Sequence, residues 1–157
     1  MPRFAIMGSG GVGGNFGARL ARAGHETIFV ARGQHLEAIR QAGLRIEEPD
    51  ESFVVGATAT DDTEEIGCVD YIVFAVKLWD AEAAAAACRC LVGAETTILP
   101  LQNGVDATEI VATAVPGAFV LGGVAEISAT IERPGFIRKA TRFHRIRLGE
   151  TVAGQIE

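Results

Sequence analysis

Residues 8–13, Gly8-Ser9-Gly10-Gly11-Val12-Gly13, carry the spacing G-x-G-x-x-G. That spacing suits the binding of a pyrophosphate. Gly8 permits a tight turn, Gly10 leaves the backbone bare where a phosphate approaches, and Gly13 lets a following helix pack close to a preceding strand. The helix start adds unpaired N–H groups and the positive end of its dipole. Gly11 and Val12 share the loop, and Ser9 is placed to donate a further hydrogen bond. A glycine run can also serve chain reversal alone, so its context decides.

A second chemical signal lies about 20 residues past the glycines, where a dinucleotide site reads the adenosine ribose. A carboxylate there would accept the 2′-hydroxyl of NAD. This chain has Ala31-Arg32-Gly33. A guanidinium can pair with a 2′-phosphate through two hydrogen bonds, which a carboxylate would repel. Arg32 therefore points to NADP(H).

The elements needed to hold these residues can be read around them. Residues 4–7 form an apolar run ended by glycine, as in a strand buried on both faces. Val12, Phe16 and Leu20 recur at helical spacing up to Gly24, and 27–30 is a second β-branched run. Strand, glycine turn, helix and strand in about 30 residues make a βαβ unit, with a right-handed parallel crossover. Beyond it the pattern predicts a helix over 34–42 and two short antiparallel strands at 44–47 and 53–57. A strand over 71–76 follows, then a helix over 80–91 capped by Asp80. The next expected elements are a strand at 97–101, a helix over 106–115 opened by Asp106 and Glu109, and a strand at 119–121. The segments 124–132, 136–139 and 145–148 read as extended, a hairpin or meander finishing the sheet. The predicted fold class is α/β, a Rossmann-type doubly wound, mainly parallel sheet with extra antiparallel strands at the C-terminal end.

Bulk properties narrow the partners. At 157 residues the chain suits one domain. A net charge of −6 argues against a nucleic-acid footprint, though local cations and backbone amides can still hold a phosphate. The absence of an 18-residue apolar run argues against a membrane span. Cys68, Cys88 and Cys90 lack Cys-x-x-C spacing, and Cys88 and Cys90 fall on different faces of a helix. They read as reduced thiols of a cytoplasmic protein with no metal site.

The runs 4–14 and 29–33, Gln41-Ala-Gly-Leu44, Val76-Lys-Leu-Trp79, Leu101-Gln-Asn-Gly-Val105 and Arg133-Pro-Gly135 occur in this order. In this the chain resembles the ketopantoate reductases (2-dehydropantoate 2-reductases) over residues 1–150. That family reduces 2-dehydropantoate to pantoate with NADPH, on the way to pantothenate and coenzyme A. The resemblance implies that Lys77 lies near the adenosine end and supports Arg32. It also implies that the Asn103 amide contacts the nicotinamide ribose or the substrate near the hydride-transfer position. Asn103-Gly104 equally suits a turn. Trp79 either packs beside the adenine or fills a loop, and His35 can approach the phosphate. Glu126 either faces the active cleft or is a surface carboxylate, His25 reads as a solvated helix-end residue, and His144 reads as a lone strand residue with no apparent partner.

In the resembled family a second, helical domain supplies a lysine general acid and a substrate-binding glutamate. No lysine here matches the first. Residues 151–157 are expected to begin a linker toward such a domain, leaving 1–150 to hold NADP(H) without finishing the reaction. The face that would meet that domain is expected to be partly apolar, a surface through which a homodimer can form. Two other functions fit the motifs: an NADP-dependent dehydrogenase of another 2-keto or 2-hydroxy acid, from the wider 6-phosphogluconate-like group, and a non-catalytic NADP-binding module.

Overall fold

The computed structural model describes residues 1–102 and 106–151. Strand β1 (Arg3–Met7) leads through the glycine turn into helix α1 (Gly11–Arg22) and strand β2 (Glu26–Val30). Helix α2 (Gly33–Ala42) follows, then β3 (Leu44–Glu47), β4 (Ser52–Val55), β5 (Thr58–Thr60) and β6 (Val69–Phe74). Helix α3 (Ala81–Ala87) precedes β7 (Val92–Pro100), and helix α4 (Asp106–Ala114) precedes β8 (Phe119–Glu126). The chain then runs through β9 (Ala129–Arg133), β10 (Phe136–Lys139) and β11 (Arg145–Glu150).

The main sheet has the order β11-β8-β7-β6-β1-β2-β5. All its pairs are parallel except β8 with the edge strand β11, so the expected doubly wound sheet with an antiparallel C-terminal strand is present. Ala5, Ile72 and Ile98 point to one face, toward α3 and α4, while Ile6, Phe29 and Val73 point to the other, under α1 and α2. Burial on both faces is why these strands read as unbroken apolar runs.

Two readings need correction. The outermost parallel strand, β5, is absent from the expected elements. Thr58-Ala-Thr60 is too short to carry a period of its own, and it exists because Ile28, Phe29 and Val30 offer it a ladder. The β9–β10 hairpin does not finish the main sheet. It joins a second sheet, β4-β3-β10-β9, in which β10 runs parallel to β3. The expected β3–β4 antiparallel pair forms the other half of that sheet. The expected helix over 80–91 is α3 flanked by 3₁₀ turns at Leu78–Asp80 and Cys88–Leu91, and Asp80 makes no side-chain cap bond.

Helix α1 is pinched between the two sheets. A Cβ on Gly13 would stand 2.2 Å from the Gly8 carbonyl oxygen, and one on Gly17 would stand 2.7 Å from Ile6 and Phe29. On the other side, a Cβ on Gly11 would stand 2.0 Å from the Ala129 carbonyl oxygen, and one on Gly14 would meet Ile137 at 2.3 Å. Glycine at all four positions is what lets one helix touch two sheets. Asn15, fully buried in the same helix, has no hydrogen-bond partner for either amide atom among the described residues. An unsatisfied group of this kind costs about 1–3 kcal/mol.

A buried ion network ties the second sheet to α1. The Lys139 ammonium, with no exposed side-chain surface, lies 2.9 Å from the Glu48 carboxylate, which also accepts from Arg19. Lys139 Nζ donates to His144 Nδ1 at 2.9 Å, and the imidazole meets Phe16 edge-on. His144 is therefore partnered, contrary to its sequence reading, and it stands in a loop rather than a strand. Burial pushes the Glu48 carboxyl up, but the Lys139 hydrogen bond and the Arg19 and Lys139 charges outweigh it and hold it below its ordinary value. Burial pushes His144 below its ordinary value, and the charges of Arg19 and Lys139 add to that effect.

Cys88 is buried and Cys90 exposed, as their spacing implies, and Cys68, Cys88 and Cys90 are all free. Burial pushes the Cys88 thiol up to about 12, so it is inert at neutral pH. Among the described residues no helix is long and apolar enough to cross a membrane.

Candidate functional site

The chain turns outward in opposite directions from β1 and β6, and a cleft opens beyond the carboxyl ends of those strands. Such a switch point is where open α/β sheets bind ligands. The cleft has a volume of about 710 Å³, within the roughly 300–1,000 Å³ usual for small-molecule sites. Its floor is the glycine turn, including Gly8, Ser9, Gly10, Gly11 and Val12. One rim carries Arg32 and His35, the facing rim Lys77, Trp79 and Asp80, and the far end Gln102, Ala125 and Ile127.

The turn's geometry separates residues needed by the protein from one needed by a ligand. Gly8 has φ +94°, a left-handed conformation, and a Cβ there would strike the backbone of Val76 at 2.8 Å. Gly13 and Gly11 are demanded by the packing of α1. Gly10 is different: a Cβ there would meet nothing within 4 Å among the described residues, although the residue lines the cleft. Packing does not require glycine at this position, whereas the close approach of a phosphate to the backbone does. Gly10 is the N-cap of α1, with no side-chain cap and no acidic residue in the first turn. The first N–H groups of the helix thus lack intrahelical partners and face no competing charge. These residues fit a dinucleotide pyrophosphate.

Ser9 holds a different role from the one its type suggests. Its hydroxyl donates to the Val30 carbonyl at 3.0 Å, and its backbone N–H points to the same oxygen at 3.2 Å. With its donors spent on β2, Ser9 shapes the turn and leaves no side-chain proton for a phosphate. His35 also acts on the turn. The Gly135 N–H donates to Nδ1 at 3.0 Å, so that nitrogen is an acceptor and the proton sits on Nε2. Nε2–H then donates to the Ser9 carbonyl at 2.8 Å. One imidazole therefore links the turn to the β9–β10 connection, with both ring nitrogens engaged by backbone groups.

Arg32 is the N-cap of α2, with its side chain 73% exposed and 3.9 Å from the Asp80 carboxylate. Lys77 follows β6 on the facing rim, exposed, with no ion pair among the described residues. The two cations expected at the adenosine end do line one cleft. Trp79 is 82% exposed on the Lys77 rim and so does not fill a loop. Asn103 lies outside the described residues. Its neighbour Gln102 was given no role by the sequence reading. Gln102 Nε2 donates to the Val76 carbonyl at 2.7 Å, while its buried Oε1 has no partner among the described residues. Asp80 also escaped notice as a site residue, since its helix-capping type masked it. Glu126 pairs with Arg147 at 2.7 Å on the β8–β11 ribbon, in keeping with a surface carboxylate.

Comparison with known proteins agrees with this geometry. The family model described as ketopantoate reductase PanE/ApbA matches residues 4–153. The 2-dehydropantoate 2-reductase of Mesorhizobium japonicum is 33% identical, over 94% of this chain and 52% of its own length. The crystal structure of 2-dehydropantoate 2-reductase from Porphyromonas gingivalis W83 superposes with a TM-score of 0.88 at 41% identity, covering 95% of this chain and 55% of that one. The ternary structure of D-mandelate dehydrogenase with NADH and anilino(oxo)acetate superposes equally well, TM-score 0.88, at 23% identity over 97% of this chain and 49% of that one, a likeness of fold alone. This chain spans about half the length of the relatives it matches. With the glycine turn, the Arg32 rim and the Lys77 rim in the arrangement just described, the chain belongs to the ketopantoate reductase PanE/ApbA family.

Proposed function

We propose that this chain is the NADPH-binding part of an oxidoreductase that reduces a 2-keto acid, 2-dehydropantoate, to the 2-hydroxy acid. The observation that carries the reading is the placement of Arg32 and Lys77 on the two rims of a cleft whose floor is an uncapped helix start. A 2′-phosphate between those rims would meet a guanidinium and an ammonium, while the pyrophosphate met the amides after Gly10. When bound, NADPH supplies the hydride. The residues of this chain bind and orient it; Gln102 lines the far end of the cleft, and the family resemblance gives the Asn103 amide the positioning of substrate and nicotinamide. The substrate assignment comes from the names of the relatives.

Proton transfer to the new hydroxyl is a different matter. The chain has two lysines. Lys77 belongs to the adenosine end, and Lys139 is buried in its ion pair. Neither is placed to act as the general acid, a contribution of about 10²–10⁴-fold. The chain by itself is accordingly a binding unit, with turnover of ketopantoate far below the roughly 1–10³ s⁻¹ of ordinary enzymes.

Trp79 provides the direct test. It is the sole tryptophan of the sequence and stands exposed on the cleft rim. Titration with NADPH should quench its emission and produce energy transfer to the reduced nicotinamide, saturating at one dinucleotide per chain. Trp79→Phe should abolish the signal while calorimetry still records binding. An emission spectrum indifferent to NADPH, together with no heat of binding, would exclude the proposed role.

A further inference from the structure

Asp80 stands where a 2′-phosphate would be unwelcome. Its carboxylate lies 3.9 Å from the Arg32 guanidinium, and both residues line the cleft. Helix geometry does not account for it. Asp80 occupies the N-cap position of α3 yet makes no capping bond, although that is the ordinary use of aspartate there. Folding stability does not account for it either. An ion pair with side chains 73% and 43% exposed contributes little to the fold. The residue is nonetheless held in place, because its backbone N–H closes a tight turn onto the Lys77 carbonyl at 2.9 Å. The backbone of Asp80 is thus fixed beside that of Lys77, with its carboxylate 3.9 Å from Arg32 in a cleft that all three residues line.

We propose that Asp80 is the specificity-setting acid of this cleft, a reading that rests on the NADP assignment above. In the absence of dinucleotide, its carboxylate holds Arg32 in the position that the 2′-phosphate takes over. With NADPH present, the same carboxylate faces the phosphate and subtracts from the attraction of Arg32 and Lys77. With NADH it meets no such repulsion and remains available as an acceptor for the free 2′-hydroxyl. That is the role an acidic residue at the end of β2 plays in NAD sites. Here the acid comes from the β6–α3 connection instead. Asp80 thus narrows the margin by which Arg32 prefers the phosphorylated cofactor.

The test is the ratio of NADH to NADPH dissociation constants, measured by calorimetry on the chain and its Asp80→Asn and Asp80→Glu variants at low and high salt. A single charge near a doubly charged phosphate at roughly 6 Å, in solvent, corresponds to about a 3- to 10-fold effect. Asp80→Asn should tighten NADPH by that factor and leave NADH unchanged or weaker. Asp80→Glu should restore the original ratio, and the gain should shrink at high salt. An unchanged or smaller ratio in Asp80→Asn, or a gain indifferent to salt, would overturn the proposal. If the unsubstituted chain prefers NADPH while Asp80→Asn leaves the ratio alone, the Asp80 role fails and the NADP reading stands. If the unsubstituted chain binds neither dinucleotide, both fail.

Discussion

Arg32→Ala is expected to weaken NADPH binding by about 10- to 100-fold while changing NADH affinity by no more than about threefold, the loss of one or two charge-assisted hydrogen bonds to a phosphate. The argument rests on what Arg32 does not do. Its side chain is largely solvent-exposed, and its charged partner among the described residues is Asp80 at 3.9 Å. Removing it leaves no cavity, so the unfolding midpoint should stay within about 0.5 kcal/mol of the starting protein. On the Asp80 proposal it also leaves that carboxylate opposed by Lys77 alone, which adds to the loss for NADPH and has no counterpart for NADH. Dissociation constants for both cofactors, measured side by side, decide the matter. A parallel loss for the two would mean that Arg32 acts on the turn or the helix start, and would sink its assignment to the 2′-phosphate.

The second large effect concerns stability. Lys139→Met should cost about 3–5 kcal/mol in urea unfolding, the usual penalty for removing one partner of a buried ion pair. Glu48 would keep Arg19 but lose the fully buried ammonium, and His144 Nδ1 would lose its donor. Adding Glu48→Gln should recover part of the loss, because the stranded charge disappears. A cost below about 1 kcal/mol for Lys139→Met would mean that the network is not a determinant of the fold. The same network sets a pH dependence. Glu48 and His144 both have folded values below their ordinary 4.5 and 6.5, so the unfolded chain takes up their protons first. Their contribution is complete above about 6.5 and falls with acidification, first through His144 and then as pH drops below 4.5 through Glu48. His144→Gln retains an acceptor for Lys139 and should flatten the first step alone in a series of thermal melts.

The cofactor site and the fold differ in how far they could be read without coordinates. The placing of Gly8, Gly10 and Arg32 at one cleft, and of Gly13 against β1, was legible because a right-handed βαβ crossover ties the turn and the end of β2 to fixed local spacing. Lys77 was legible only through its motif, since nothing local says that the loop after β6 faces Arg32. Asp80 was misread for a related reason. Aspartate before an alanine run is the ordinary signal of a helix cap, and only the tertiary approach of Arg32 gives its carboxylate another partner. The second sheet was illegible for a stronger reason. The apolar residues of 136–139 look the same whether their strand extends the main sheet or lies beside β3, and the choice depends on Ile137 filling the space left by Gly14. Lys139 and Glu48 likewise carry no sequence sign of each other. His35 lay between these cases: its position near the turn was evident, but its two hydrogen bonds require knowing where Gly135 goes.

The pinching of α1 between two sheets has a consequence for the order in which the molecule is built. The glycine turn leaves the ribosome well before β9 and β10, yet Gly11 and Gly14 are seated by Ala129 and Ile137, and His35 links the turn to Gly135. Contacts this distant along the chain are slow to close, because the intervening loop entropy must be lost before they form. The glycine turn should therefore be among the last parts to mature. In pulsed hydrogen exchange during refolding, the amides of Gly11 to Gly14 should gain protection together with β9 and β10, and later than the β1–β6 ladder. A nascent chain that lacked the hairpin would hold a Rossmann sheet with its glycine turn still unset, so the proposed competence to bind a dinucleotide would double as a report that synthesis has passed β10.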